Sequence, residues 1–311
     1  MSEIQSQKLY EPRRALIAGV ASIVTVAILI VIKTVAYVAG GSTGILAALI
    51  DSGADAAGSL MNLLAIHISM KPADSHHRHG HGKVEGLAAL FQAALIGGSA
   101  VYLLYEAGNK VFNPVEIESY GFGMIAMVLS VVLSGILVII QHSALKHAPS
   151  LAVEADQAHY GADIAVNIAV LGALVLQAAG APTWIDPAVA FLVGLWLCRT
   201  AWIVLGGGID MLLDREVSDE VREQILHCVR KNSDVHGVHD LRTRMVGMSL
   251  NISFDIEVDA DLTLRDAHAI AHKVEGCLLR DFPNAEIMIH VDPEGEIEDA
   301  RHSPIGLRPL E

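Results

Sequence analysis

Asp51 and Asp55 stand four residues apart in an apolar stretch of the sequence, and His159 and Asp163 repeat that interval in another. On a helix the interval places both members of a pair on one face, about a turn apart. A carboxylate in hydrocarbon is kept only where it faces a partner or water. Three carboxylates and one imidazole make a four-coordinate site for a small divalent transition metal if the two helices touch. A satisfied structural network or a proton relay is the competing reading of each pair. Small residues crowd both pairs, Gly53, Ala54, Ala56, Ala57 and Gly58 beside the first and Ala158, Gly161, Ala162 and Ala165 beside the second. Such residues allow the close helix approach that ligands as short as aspartate require.

A second concentration of donors runs from Lys71 to Lys83, with Asp74, His76, His77, His79 and His81 between Pro72 and Gly82. This polar connector can coordinate a metal, although its composition also fits a solvated loop or a metal collector of low specificity. A third set, His239, His268, His290 and Asp292, lies near the C-terminus. His290 and Asp292 fall on one side of a strand by their i, i+2 spacing.

The elements that position these residues follow from composition. Of the 311 residues 52% are hydrophobic and 18% charged, too apolar for an ordinary soluble domain. Six stretches reach the roughly 20 residues that a bilayer span needs: Ala15–Gly40, Thr43–Ser69, Gly86–Val111, Tyr120–Ser143, Leu151–Ala179 and Trp184–Gly206. The first is too long for a signal-peptide core and lacks a small-residue cleavage pattern, so it is expected to stay as a helix. Lys8, Arg13, Arg14, Lys71, Arg78, Lys83 and Lys146 flank one side of the spans, whereas the other carries Lys110 offset by Glu116 and Glu118. Both termini are therefore expected in the cytoplasm. Glu154 and Asp156 are explained by solvation and by the helix N-terminus, and Lys33 and Glu106 by interfacial or snorkelling positions.

The net charge of −14 is uneven, with −3 in residues 1–207 and −11 in residues 208–311. Acidity argues against nucleic acid as a partner. Cys198, Cys228 and Cys277 lie far apart and read as idle thiols rather than as a disulfide framework. The expected organisation is an N-terminal tail (1–14), an all-α six-helix transmembrane domain (15–207), an acidic α+β domain ordered α-β-β-α-β (208–292) and a disordered tail (293–311). In the α+β domain helices are expected at Asp219–Asn232 and Leu264–Asp281, and strands at Val238–Arg244, Leu250–Val258 and Ala285–Val291.

Several ordered motifs resemble the cation diffusion facilitator family, nearest its bacterial ferrous-iron and zinc efflux branch. They are Gly44 to Ser52 with Asp55 following, Lys71-Pro72-Ala73-Asp74 leading to Gly80-His81-Gly82-Lys83-Val84-Glu85, Ala155-Asp156 with His159 and Asp163, and His239 to Arg244. The resemblance implies a homodimer in the bacterial inner membrane that exchanges a divalent metal for protons. It puts the transported ion on Asp51, Asp55, His159 and Asp163, and a loop ion on Asp74, His77 and His81, leaving His76 and His79 unassigned. It implies a charge interlock of Lys83 with Asp214. It also implies a metallochaperone-like cytoplasmic domain whose binuclear zinc site uses His239, His268, His290 and Asp292, with Asp255 where close relatives carry a further histidine.

A mixed imidazole and carboxylate set favours Zn²⁺, with Cd²⁺ and Fe²⁺ also accommodated and the harder Mg²⁺ and Ca²⁺ disfavoured. The expected function is Zn²⁺/H⁺ antiport, with zinc also a structural or regulatory ion. A membrane metal sensor and an intramembrane metalloenzyme are the rivals. The enzyme is disfavoured because no HExxH motif or spare general base stands beside the quartet.

Overall fold

The computed structural model describes residues 11–40, 43–112, 122–180, 182 and 184–295. Most of the two expected tails, at residues 1–10 and 296–311, lies outside the described residues, as do Lys8, Glu116 and Glu118. The chain divides into two compact units, Glu11–Leu212 and the chain from Leu213 onward.

The first unit consists of six long helices: α1 (Arg13–Gly40), α2 (Thr43–Ser69), α3 (Val84–Phe112), α4 (Phe122–Leu145), α5 (Leu151–Ala178) and α6 (Ile185–Leu212). Among the described residues, α1, α3, α4 and α6 are long and apolar enough to cross a membrane by composition alone. The other two, α2 and α5, match them in length at 27 and 28 residues but carry the polar residues of interest. Outward surfaces are apolar, as with Ile17, Val24, Val31 and Val35 on α1. The interior is built on small side chains, with Ala89, Ala93 and Ala100 of α3 meeting Ala155 and Ala162 of α5 and Leu197 and Val204 of α6.

Glycine makes the α3–α6 approach possible. A Cβ on Gly208 would lie 3.0 Å from the carbonyl oxygen of Gly86, and one on Gly194 would lie 2.7 Å from Leu104 Cδ2. The glycines at 206–208 therefore do not end the helix, and α6 continues to Leu212, five residues beyond the boundary expected at 207. In a bilayer the helical hydrogen bonds have no competing water, and glycine serves packing instead of breaking the helix.

The second unit follows the expected α-β-β-α-β order: α7 (Asp219–Arg230), β1 (Gly237–Val246), β2 (Ser249–Val258), α8 (Leu264–Asp281) and β3 (Glu286–Pro293). Its sheet is ordered β1-β2-β3, antiparallel between β1 and β2 and parallel between β2 and β3. The even-numbered side chains of β2, Ile252, Phe254, Ile256 and Val258, are buried with Ile225, Leu226 and Val229 of α7 and Ile270, Val274 and Leu278 of α8. The odd-numbered residues point to the other face, because side chains alternate along a strand. The idle-thiol expectation is corrected here. Cys228 of α7 and Cys277 of α8 form a disulfide, brought together by helix packing across 49 residues that sequence spacing could not reveal. Cys198 is free and exposed.

Candidate metal centres

Polar residues on α2 meet polar residues on α5 in a ladder. His159 Nε2 lies 2.9 Å from Asp55 Oδ1 and 3.5 Å from Asp163 Oδ2. Each of these three residues offers a ligand atom within 4.8 Å of the others. Asp55 and His159 are buried, and Asp163 is half-buried. Asp51 falls outside this close group, one turn along α2 and exposed. Further along, Ser59 and Tyr160 share a hydrogen bond of 2.9 Å, and Asn62 donates to Asp156 at 2.9 Å. The i, i+4 spacing on both helices is what sets one row against the other.

Asp156 corrects an expectation. It is 2% exposed and accepts hydrogen bonds from Ser22 Oγ (2.6 Å), Asn62 Nδ2 (2.9 Å), Gln92 Nε2 (2.9 Å) and Gln141 Nε2 (2.8 Å). The four donors come from α1, α2, α3 and α4, so one carboxylate on α5 ties five helices together. Solvation at a helix N-terminus, the sequence explanation, does not apply. The available signal was a polar residue able to donate within each of four different helices, a pattern that pairwise spacing cannot connect.

Glu85 is another residue that spacing missed. It is fully buried on α3 and accepts from Ser69 Oγ (2.7 Å), Ser150 Oγ (2.7 Å) and the Ala152 amide (3.3 Å), capping the start of α5. An anion at a helix N-terminus is favoured by the unpaired amides there. Lys33 corrects a third point. It does not snorkel, and its Nζ donates to Ala48 O (3.0 Å) and Ser52 Oγ (2.6 Å) on α2.

The loop between α2 and α3 brings together Asp74, His77 and His81. Asp74 Oδ1 accepts the backbone amides of His76 and His77 at 2.8 and 2.7 Å, and these two bonds hold its carboxyl below the usual range. His77 Nδ1 lies 3.3 Å from Oδ1 and His81 Nε2 lies 3.2 Å from Oδ2, with the two rings 4.7 Å apart. The turn that Asp74 makes with the amides of residues two and three positions on folds the loop back, and so delivers His77 to His81. His76 and His79 are exposed and stand outside the group.

Strand register builds the third centre. His239 on β1 pairs with Asp255 on β2, which pairs with His290 on β3; one row along, Glu257 pairs with Asp292. His239 lies 3.8 Å from Asp255, 3.7 Å from Asp292 and 3.7 Å from Glu257, and His290 lies 3.0 Å from Asp292. His239, Asp255 and Asp292 form the close group. Burial pushes the Asp255 carboxyl up, while His239 and His290 pull it down. Glu257 was not anticipated, although it lies two residues from Asp255 and shares its face; Gly237 opposite leaves room for its carboxylate. His268 is not in the cluster. It is exposed on α8, in the layer that packs on the sheet's other face, with its ring 5.2 Å from His272. Of the expected interlock, Lys83 Nζ lies 3.5 Å from Leu212 O, and Asp214 accepts from Arg244 Nη1 at 3.3 Å.

A membrane helical bundle with a histidine and carboxylates clustered in its interior, continued by a soluble α+β domain with clustered metal-type donors, defines a membrane transporter of metal cations. The chain belongs to the cation diffusion facilitator family: the cation efflux transmembrane domain matches residues 19–213 and the cation efflux protein cytoplasmic domain matches residues 217–294. It is 40% identical over 277 residues to the cation-efflux pump FieF of Shewanella oneidensis, covering 89% of this chain and 93% of that one. Against the pump of the same name from Escherichia coli the identity is 37% over 278 residues, covering 89% and 92%. Among solved structures it is similar to the metal-bound C-terminal domain of a CzcD transporter from Thermotoga maritima, at 32% identity over 25% of this chain and 93% of that one, with a TM-score of 0.25. The protein is thus a divalent cation efflux transporter, a multi-pass membrane protein with a cytoplasmic C-terminal domain, and not an enzyme.

Proposed function

We propose that the protein exports Zn²⁺ from the cytoplasm in exchange for protons, as a homodimer in a bacterial inner membrane, with Cd²⁺ and Fe²⁺ as further substrates. The observation that carries this reading is the close group of buried Asp55 and His159 with half-buried Asp163, to which the proposal adds Asp51, one turn along α2, as the fourth ligand. One imidazole nitrogen among carboxylate oxygens suits Zn²⁺ better than Mg²⁺ or Ca²⁺, which take all-oxygen shells of higher coordination. Metal and proton compete for the same lone pairs. An ion entering from the cytoplasm displaces protons from the quartet, and protons arriving from outside displace the ion once the bundle has rocked open. The His159 ring, held between two carboxylates, is the group best placed to carry one of those protons.

On this reading Asp74, His77 and His81 hold a second ion at the cytoplasmic mouth. His239, Asp255, His290 and Asp292 hold zinc in the cytoplasmic domain, while His268 stands apart on α8. The donor set fits such an ion, and Asp292 Oδ2 is buried without a hydrogen-bond partner. Proteoliposomes containing a zinc-sensitive and a pH-sensitive dye test the exchange. Coupled zinc and proton signals that vanish in Asp51→Ala and Asp55→Ala are expected. Zinc uptake without a proton signal would exclude antiport, and no uptake would leave a sensor as the reading.

A further inference from the structure

We propose that Lys33 is a tethered cation of the transport site, whose fixed charge offsets part of the negative charge of the quartet and keeps divalent binding weak enough for release. This rests on Asp51, Asp55, His159 and Asp163 being the transport ligands. Lys33 lies on α1, half-buried, and reaches across to α2. Its two hydrogen-bond acceptors, Ala48 O at 3.0 Å and Ser52 Oγ at 2.6 Å, are neutral oxygens one turn apart. Both fix the ammonium in place without consuming its charge. Ser52 is fully buried and precedes Asp55 by three residues, with Asp51 immediately before it. That anchor holds the ammonium on the residue next to Asp51, on the turn of α2 that leads to Asp55.

Charge counting gives the position its meaning. Three ionised carboxylates and a neutral imidazole carry −3, and a bound divalent ion leaves −1, which the lysine cancels. Without it the empty site would carry −3 rather than −2, and a divalent ion would be held there more tightly. The nearby carboxylate of Asp156 is served by its own four donors, Ser22, Asn62, Gln92 and Gln141. The placement is also directional. Six helices lead to a cytoplasmic domain, so α1 begins and α2 ends on the cytoplasmic side. Lys33 lies seven residues from the far end of α1, and Ser52 nine residues into α2. Asp156 lies five residues into α5, at its cytoplasmic end. The ammonium therefore stands toward the side from which an exported ion leaves.

A lysine that only packed α1 against α2 would give the opposite sign when removed, which makes the proposal testable. Zinc uptake into proteoliposomes by the full-length protein is measured as a function of Zn²⁺ concentration for the parent, Lys33→Met, Lys33→Gln, Lys33→Arg and Asp55→Ala. Loss of the charge in Lys33→Met should lower the half-saturating Zn²⁺ concentration by about tenfold and slow maximal uptake, because an ion held more tightly leaves more slowly. Lys33→Gln keeps a donor for Ala48 and Ser52 and should shift the same way, so the prediction stands even if the Met variant does not fold. Lys33→Arg keeps the charge and should stay within about twofold of the parent. A raised or unchanged half-saturating concentration in Lys33→Gln, with Asp55→Ala inactive, overturns the role of Lys33 alone. Parent-like uptake by Asp55→Ala overturns the quartet as the transport site and this proposal with it.

Discussion

Asp156 shows how much a single buried carboxylate can organise in a membrane protein. A carboxylate accepts only, and here Ser22, Asn62, Gln92 and Gln141 each turn a donor toward it. Hydrogen bonds to an ionised acceptor are each worth roughly 1.5–3 kcal/mol, about double the neutral kind, but burying the charge costs part of that sum. Asp156→Asn keeps the shape and replaces one acceptor oxygen with a donor, leaving two of the four donors facing another N–H. We expect a loss of about 2 kcal/mol, seen as a lower unfolding temperature of the detergent-solubilised protein. An unchanged unfolding temperature would show that the four donors do not depend on the charge. The residue was visible in the sequence, but its four partners lie 15 to 134 residues away. Local spacing found the two polar pairs of α2 and α5 because the members of each pair lie one helix turn apart. It could not find a hub whose members each occupy a different helix.

The same distinction holds for whole elements. Apolar length is a local property, and it was enough to place six helices and to read α7 and α8 from their one-sided patterns. How those helices pair is not local. Gly208 reads equally well as a helix terminator or as a packing surface, and only the approach of α3 decides between them. With Gly86 O 3.0 Å and Leu90 Cδ2 2.9 Å from where its Cβ would be, any larger side chain at 208 must push α3 and α6 apart. Gly208→Leu should therefore destabilise the membrane unit by about 1–3 kcal/mol, and Gly208→Ala by less. Thermal unfolding of both variants in the same detergent checks this order, and equal stability of the leucine variant and the parent would contradict it. In the cytoplasmic domain the alternation of β2 separated core from open face, so Asp255 was placed correctly on a strand. That Glu257 joins it, and that Cys228 meets Cys277, depends on register and on helix packing that one strand or one helix does not encode.

At the scale of the whole chain, the proposed function has two units that bind metal in different solvents and with different affinities. A quartet that carries the transported ion, as proposed, must release it in every cycle, so tight binding there would stop transport. The open sheet face has no such requirement. Its donors sit on a rigid sheet backed by a packed core, where an ion can remain and stabilise the fold. An ion bound only by the folded domain stabilises it by RT ln(1 + [L]/Kd), about 2.7 kcal/mol at one hundred times Kd. Zinc added to chelator-treated full-length protein should therefore raise the unfolding temperature of the cytoplasmic domain, followed by the loss of its β-sheet signal. His239→Ala should abolish most of that rise, because His239 faces Asp255, Asp292 and Glu257 at once. Asp55→Ala should keep the rise while losing transport. If the two substitutions instead acted alike on stability and on transport, the units would not be using metal for separate purposes. The acidic surplus of the C-terminal third would then need a role beyond solubility.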